Sequence, residues 1–204
     1  MIYFVTAIGT DSGKTVVSAI LTKALQADYW KPIQAGFPRD SDTVKDLLNN
    51  NYSVVWDEAY LLQSPMSPHA AAKIDGVKID LNNILLPEKR IEDLVIEGAG
   101  GVLVPLNEKD VVIDIAVKFK AEVILVVNTY LGCINHTLLS AAELKRRNIK
   151  VKGIIFNGEP NEETENIILH HTGYKCLLKV KREQEITQEV ISHYAIKLFD
   201  QWEA

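Results

Sequence analysis

Residues 2–15 read IYFVTAIGTDSGKT, and this stretch decides the fold. A β-branched and aromatic apolar run at residues 2–6 leads into a loop that ends in Gly13, Lys14 and Thr15, and a helical pattern follows. Successive backbone N–H groups at the start of a helix point into one concavity and bind anions, phosphates above all. A strand, a glycine-containing loop and a helix in this order therefore predict a phosphate-binding loop.

The loop also carries the side chains that nucleotide chemistry needs. Lys14 is placed to bridge the β- and γ-phosphates, and the Thr15 hydroxyl is placed to ligate Mg²⁺. The pattern G-x-x-x-x-G-K-[ST] is imperfect here, because Ile8 stands at its first glycine and Ala7 precedes it. The alternative is a glycine-rich turn followed by a surface lysine. The position of Gly13, Lys14 and Thr15 at a strand–helix junction favours the phosphate loop.

Length and composition limit the remaining possibilities. The chain has 204 residues, of which 47% are hydrophobic, and a net charge of −5. These values favour one globular domain spanning residues 1–204, with no basic stripe for nucleic acid and no apolar run long enough for a membrane span. Cys133 and Cys176 have neither disulfide-framework nor metal-ligand spacing, and no leader pattern is present, so we expect a cytoplasmic protein.

Short apolar runs alternate with longer amphipathic stretches along the chain, which is typical of stacked βαβ units. Strands are predicted at residues 2–6, 29–32, 94–97, 122–128, 152–157 and 175–180. Helices are predicted at residues 14–27, 42–48, 111–119, 135–147, 162–171 and 185–202. Residues 49–92 are less regular, and we expect an excursion with short helices there. The pattern predicts an α/β domain whose mostly parallel sheet has helices on both faces, with ligands beyond the carboxyl ends of the strands.

Polar residues at predicted strand and helix ends are the candidates for the site. Glu97 closes an apolar strand ahead of Gly98-Ala99-Gly100-Gly101, which suits a metal ligand beside the phosphates as well as a salt-bridged strand end. Asp42 fits a helix N-cap better than a ligand on spacing alone. Lys31 is equally compatible with a site lysine and an exposed one. Asn135 fits first a helix cap and second an anion site.

Several motifs accompany the phosphate loop in chain order. They are Tyr3-Phe4-Val5-Thr6, Gly13-Lys14-Thr15, Lys31-Pro32, Ser41-Asp42, Ser67-Pro68-His69, Glu97-Gly98-Ala99-Gly100-Gly101, Pro105-Leu106 and Leu131-Gly132-Cys133-Ile134-Asn135-His136. Together they resemble the dethiobiotin synthetase family. The resemblance implies a Rossmann-like P-loop NTPase fold and a homodimer. It also implies an ATP-dependent ligase of biotin biosynthesis that converts 7,8-diaminononanoate and CO₂ to dethiobiotin, ADP and phosphate through a carbamate and a carbamic–phosphoric anhydride.

The resemblance also implies roles for individual residues. The Mg²⁺ ligands would be Thr15, Asp42 and Glu97, and the catalytic lysines Lys14 and Lys31. The nucleotide would contact Thr10, Asp11, Ser12, Gly13, Lys14, Thr15, Val16 and Asn157. The diamine would contact Lys31, Ala35, Gly98, Ala99, Gly100 and Gly101. Its far carboxylate would be held by Gly132, Cys133 and Asn135 from the partner subunit, so that each active site is shared across the dimer.

This chain departs from the family pattern in the region that the resemblance assigns to recognition of the nucleotide base. Gly158 follows Asn157 where the family has Asp, and the segment after the last strand reads Lys179-Val180-Lys181-Arg182-Glu183 instead of a Glu-Ile-Pro type. Ala35 replaces a serine near the substrate. We therefore expect weak discrimination among nucleoside triphosphates.

Three other classes share the P-loop. A partitioning-type ATPase would carry an extra lysine at the start of the loop, where this chain has Ala7 and Ile8. A GTPase would show Asn-Lys-x-Asp after a late strand, and Asn157-Gly158-Glu159 lacks that Lys and Asp. An amidotransferase-type ligase needs a glutaminase domain for which 204 residues leave no room. The partitioning-type ATPase is the alternative that we retain.

Overall fold

A computed structural model describes residues 1–88 and 93–202. Its strands are β1 (Ile2–Ala7), β2 (Asp28–Trp30), β3 (Ile33–Ala35), β4 (Val55–Trp56), β5 (Tyr60–Leu62), β6 (Leu94–Gly101), β7 (Glu122–Asn128), β8 (Val151–Asn157) and β9 (Cys176–Val180). Its helices are α1 (Lys14–Ala24), α2 (Asp40–Leu48), α3 (Pro68–Ile74), α4 (Ile113–Lys118), α5 (Cys133–Arg146), α6 (Glu162–Thr172) and α7 (Gln188–Trp202). Within these residues no helix is both long and apolar enough to cross a membrane.

Seven strands form one parallel sheet in the order β4-β2-β6-β1-β7-β8-β9. A second parallel pair, β3 with β5, lies beside it. The order changes direction around β1, so the carboxyl ends of β1, β6 and β7 border a crevice of the kind that binds ligands in such folds. The predicted α/β class with a parallel sheet is confirmed.

Both faces of the sheet are buried, because alternate residues of each strand belong to different core clusters. On β1, Tyr3 and Val5 pack with α1, α2 and α7, whereas Phe4 packs with α3, α4 and the small sheet. Trp202 near the end of α7 meets the Tyr3 ring edge-on at 5.1 Å. Burial on both faces explains why these strands read as continuous apolar runs in the sequence.

The predicted elements recur with shifted ends. Helix α2 begins at Asp40, two residues before the predicted start, and α5 begins at Cys133 instead of residue 135. Strand β6 continues through the glycine run to Gly101. Residues 49–88 contain β4 and β5 as well as α3, so the prediction of short helices alone was incomplete there. The predicted excursion also included residues 89–92, which lie outside the described residues.

Strand β4 is held at the edge of the sheet by a buried side chain on its neighbour. Asp28 accepts hydrogen bonds from the Val54 backbone N–H (2.9 Å) and from Trp56 Nε1 (3.3 Å). Strand β4 has only two residues, and this carboxylate together with the ladder to β2 fixes its position.

Candidate active site

The phosphate loop lies between β1 and α1 at the crevice. Gly13, immediately before α1, has a φ of 85°, in the left-handed region that favours glycine. A Cβ at this position would lie 2.1 Å from Asn157 Nδ2. Glycine is therefore required both by backbone conformation and by the close approach of the Asn157 amide.

Two asparagines at the ends of neighbouring strands hold the loop. Ser12 Oγ donates to Asn128 Oδ1 at 2.8 Å, and Asn157 Nδ2 donates to the Ser12 carbonyl at 2.9 Å. Asn128 ends β7 and is the register partner of Asn157 on β8. The sequence analysis did not select Asn128, although a polar residue that closes a five-residue apolar run was the same signal that selected Glu97.

The Glu97 carboxylate is the centre of the site. Its side chain is 1% exposed. Oε1 accepts from the Thr15 hydroxyl and from Lys31 Nζ, each at 3.0 Å, and Oε2 accepts from the Tyr29 hydroxyl at 2.9 Å. Three of these four residues were sequence candidates, and the structure brings them together. Tyr29 was not one of them, since a tyrosine in an apolar strand gives no signal of a polar partner.

Lys31 connects Glu97 to the start of α2, where it contacts the Asp40 carboxylate. The structure does not bring Asp42 to this cluster. The Asp42 side chain is 55% exposed and its oxygens accept from Arg39 at 2.6 and 2.9 Å. Residues two apart on a helix differ by about 200° in direction, so only one of the two aspartates can face the crevice. In the structure Asp40 therefore occupies the position in the cluster that was expected of Asp42, and the assignment of Asp42 as a metal ligand stays a prediction.

The two lysines differ in their electrostatic surroundings. Burial lowers the pKa of Lys14, whose Nζ donates to the Gly9 carbonyl at 3.3 Å. Burial also opposes the charge of Lys31, but the Glu97 and Asp40 carboxylates outweigh it and raise the pKa of Lys31. Burial, with the neighbouring charge of Glu97, raises the pKa of the Tyr29 hydroxyl well above its usual value. Tyr29 thus stays protonated and donates to Glu97.

A cavity of about 820 Å³ opens beside this cluster. Its lining includes Thr10, Asp11, Ser12, Gly13, Lys14, Thr15, Lys31, Ala35, Asp40, Glu97, Ala99 and Gly100. Of the other predicted contacts, Val16 lies in the first turn of α1. Gly98 packs against Phe4 and Val112 and Gly101 against Ala7, so neither forms part of the wall.

The oxygen donors at the cavity fit a magnesium site. Thr15 supplies a hydroxyl, and Glu97 and Asp40 supply carboxylates. Mg²⁺ binds proteins through one or two carboxylates and takes its remaining ligands from phosphates and water. The described residues contain no group of three or more His, Cys, Asp and Glu side chains that could hold a metal ion by themselves.

The residues predicted to act across a dimer lie away from this cavity. Gly132, with φ 108°, precedes α5, and Asn135 is exposed in its first turn. The Cys133 side chain is buried among Leu125 and Phe156, so only its backbone is presented at the helix start. Around Asn135 the Leu131 and Leu139 side chains are exposed.

A smaller cavity of about 260 Å³ lies at the carboxyl ends of β7, β8 and β9. Asn157 contributes to its wall, together with Thr129, Phe156, Gly158, Glu159, Pro160, Glu165, Lys179, Val180 and Lys181. Asn157 therefore touches both the phosphate loop and this cavity. The segment in which the sequence departs from the family pattern lies here.

Comparisons with known proteins agree with this geometry. A family model described as an AAA domain matches residues 2–190. The ATP-dependent dethiobiotin synthetase BioD of Cytophaga hutchinsonii is 64% identical over 201 residues, covering 98% of both chains. The protein of the same name from Christiangramia forsetii is 51% identical over 197 residues, covering 96% of this chain and 94% of its own.

Solved structures with a similar fold are more distant in sequence. The ParA family ATPase from Chlorobium tepidum has a TM-score of 0.58 at 13% identity, covering 98% of this chain and 96% of its own. The septum site-determining protein MinD from Pyrococcus horikoshii has a TM-score of 0.60 at 14% identity, covering 99% and 93%. At these identities the similarity shows the fold alone.

The parallel sheet, the phosphate loop and the clustered lysines and carboxylates define a P-loop nucleotide-dependent enzyme. Within that class, the chain belongs to the dethiobiotin synthetase family. It is accordingly an ATP-dependent ligase of biotin biosynthesis, an enzyme that forms carbon–nitrogen bonds.

The two site lysines should affect stability in opposite directions. Because burial lowers the pKa of Lys14, its charged form is less favoured in the folded state, and Lys14→Met is expected to raise the free energy of unfolding near neutral pH. Lys31→Met leaves Glu97 and Asp40 without their cation and is therefore expected to lower the free energy of unfolding by about 3–5 kcal/mol. Urea unfolding of the ligand-free proteins measures both changes.

The pH dependence supplies the control for this prediction. The increase in the free energy of unfolding caused by Lys14→Met should become smaller as the pH rises through the lowered pKa of Lys14, because the wild-type lysine loses its charge there. Destabilisation of the Lys14→Met variant across the whole pH range would contradict the electrostatic account.

Proposed function

We propose that the enzyme forms the cyclic urea of dethiobiotin from 7,8-diaminononanoate and CO₂ in three steps. One amine of the diamine adds to CO₂ and loses a proton, giving a carbamate. A carbamate oxygen attacks the γ-phosphorus of ATP, and ADP leaves, giving a carbamic–phosphoric anhydride. The second amine then attacks the carbonyl carbon, the bond from that carbon to the phosphate oxygen breaks, and phosphate leaves as the amine loses its proton.

The observation that carries this proposal is the placement of two buried lysines at one cavity beside the phosphate loop. Lys14 reaches the loop carbonyl of Gly9, and Lys31 lies between Glu97 and Asp40 on the neighbouring wall. Phosphoryl transfer depends on positioning and on stabilising negative charge on the transferred group. Two cations on different walls suit a reaction in which both the acceptor carbamate and the γ-phosphate are anionic.

Particular atoms of the chain would bind the substrates and supply positive charge. Backbone N–H groups at the start of α1 hold the phosphates, and Lys14 Nζ turns from Gly9 to the β- and γ-phosphate oxygens. Lys31 Nζ orients the carbamate oxygens. Ala99 and Gly100 line the diamine side of the cavity, where the absence of large side chains leaves room for the alkyl chain.

Thr15, Glu97 and an aspartate in the first turn of α2 would hold Mg²⁺, which supplies charge neutralisation of the phosphates when bound. The resemblance assigns this third ligand to Asp42, and the Asp40 carboxylate is the one that lies in the cluster with Lys31. The hydrogen bonds of Thr15 and Lys31 to Glu97 Oε1 hold its carboxylate in one orientation at the cavity.

We propose further that one domain, residues 1–204, forms a homodimer whose partner completes the substrate site. Asn135 at the start of α5 would hold the far carboxylate of the diamine, since a helix N-terminus favours an anion. Exposed Leu131 and Leu139 beside it support an interface at this surface.

The reaction predicts phosphate release that depends on the diamine. Purified protein with Mg-ATP and bicarbonate should release phosphate only when 7,8-diaminononanoate is added, and dethiobiotin should form in equal amount. Lys14→Ala should lose most of kcat while its circular dichroism stays that of the wild type, because it removes a transition-state cation. Phosphate release indifferent to the diamine would instead favour the partitioning-type ATPase.

The shared site predicts complementation between two inactive subunits. An Asn135→Ala subunit mixed with a Lys14→Ala subunit should recover about one quarter of wild-type activity, because half of the dimers are mixed and each mixed dimer keeps one intact site. Each variant alone serves as the control. If a mass measurement shows that mixed dimers have formed and no activity is recovered, Asn135 lies outside the partner's site.

Weak base discrimination is the third expectation. Asn157 Nδ2 already donates to the Ser12 carbonyl, so it has less donor capacity for a base in the smaller cavity. We expect kcat/KM for ATP, GTP and CTP to agree within about tenfold, which corresponds to little more than one hydrogen bond. Steady-state assays with each nucleotide measure this, and a preference for ATP above about a hundredfold would contradict it.

A further inference from the structure

Tyr29 carries a buried hydroxyl beside the site, and no step of the proposed reaction uses it. The residue lies on β2 and is fully buried. Its hydroxyl donates to Glu97 Oε2 at 2.9 Å, whereas Thr15 and Lys31 both donate to Oε1. The two oxygens of the carboxylate therefore have different partners, and Tyr29 bonds the oxygen that Thr15 and Lys31 do not.

The register of the sheet brings this hydroxyl to Glu97. Tyr29 is the register partner of Val95 on β6, and Glu97 follows Val95 by two residues. Side chains two residues apart on a strand share a face, and diagonal neighbours on adjacent strands are within reach of a long aromatic side chain. The Tyr29 ring therefore extends along the face of the sheet to the carboxylate on the neighbouring strand.

Packing fixes the ring that carries the hydroxyl. Tyr29 belongs to the core cluster that also contains Val95 on β6 and Val17 and Ile20 on α1. Side chains of a close-packed core sit in rotamer minima, so the ring presents its hydroxyl at one point. Burial keeps this hydroxyl protonated by raising its pKa, and the hydroxyl is therefore a steady donor to Glu97.

A donor on Oε2 also determines where Oε1 lies. The last torsion of a glutamate side chain is broad, so a carboxylate without fixed partners rotates. Fixing one oxygen fixes the other, and the bond from Tyr29 leaves Oε1 beside the Thr15 hydroxyl at the cavity. Lys31 alone does not define this orientation, because an ammonium group has three rotatable donors that can follow either oxygen.

We propose that Tyr29 is a positioning residue that holds Oε2 of Glu97 so that Oε1 and the Thr15 hydroxyl are presented together to the magnesium ion. The inference rests on the proposed function, in which Thr15 and Glu97 are ligands of that ion. Partners that orient metal ligands commonly change metal affinity by about 10- to 100-fold when they are removed. Loss of the Tyr29 hydroxyl should therefore weaken metal binding although every ligand remains.

The test measures metal binding directly. Mn²⁺ replaces Mg²⁺ as the probe, and electron paramagnetic resonance gives its affinity for the ADP-saturated protein in wild type, Tyr29→Phe, Glu97→Gln and Tyr60→Phe. Tyr60 is the matched control, because its hydroxyl also makes hydrogen bonds, to the backbone of Asp80, but its ring packs against the other core cluster. We expect about tenfold weaker Mn²⁺ binding for Tyr29→Phe, at least as large a loss for Glu97→Gln, and a change within about twofold for Tyr60→Phe.

A second readout separates positioning from damage to the whole site. Binding of ADP without metal depends on the phosphate loop, so calorimetry should give Tyr29→Phe an ADP affinity within about twofold of wild type. If Tyr29→Phe does not fold, Tyr29→Met removes the same hydroxyl and keeps an adaptable apolar side chain in the core. It should show the same selective loss of Mn²⁺ affinity.

The outcomes distinguish the inference from the function on which it rests. Normal Mn²⁺ affinity in Tyr29→Phe, with a loss in Glu97→Gln, would overturn the positioning role alone. Equal losses of Mn²⁺ binding in Tyr29→Phe and Tyr60→Phe, or an equal loss of metal-free ADP binding in Tyr29→Phe, would also overturn it, since they would show general destabilisation. Normal affinity in Glu97→Gln would overturn the metal assignment and the positioning role together, whereas the diamine-dependent release of phosphate tests the reaction separately.

Discussion

The buried carboxylate of Glu97 is the constraint on which the rest of the site depends. It lies on β6, and its partners come from the start of α1, from β2 and from the segment after β2. Removing a partner from a buried charge costs about 3–5 kcal/mol, so these elements cannot shift independently. The phosphate loop ahead of α1 and the Lys31 wall of the cavity are thereby fixed relative to one another, which the proposed phosphoryl transfer requires.

The sequence predicted those parts of the fold that are determined by residues close together in the chain. Continuous apolar runs identified the main strands because both of their faces are buried, and the Gly13-Lys14-Thr15 junction identified the phosphate loop. Strands β4 and β5 have two and three residues, which is too short for a pattern that identifies a strand. They exist because Asp28 and the neighbouring strands pair with them, and such long-range partners leave no local pattern.

The same distinction explains what could be predicted of the site. Glu97 was detectable because a carboxylate that ends an apolar strand needs a partner. Asp40 was not detectable. The sequence shows that Asp40 and Asp42 are two residues apart, but it does not show at which residue α2 begins. A helix usually signals its start through its own cap, whereas here Gln34 and Glu58 supply the contacts from elsewhere in the chain. The start of α2 was predicted two residues late, so Asp42 was taken for the N-cap, whereas in the structure Asp40 faces the cavity and Asp42 faces solvent.

The fold is shared with ATPases that are only 13–14% identical to this chain, so the chemistry must come from residues that the fold does not dictate. A phosphate loop alone binds a nucleotide and serves many reactions. In this chain a second buried lysine, Lys31, lies on the neighbouring wall of the cavity and is charged because Glu97 and Asp40 surround it. A hydrolase needs only a positioned water there. A permanent cation 3.0 Å from the Glu97 carboxylate suits the anionic acceptor of the proposed reaction, so the two carboxylates that keep Lys31 charged serve that chemistry.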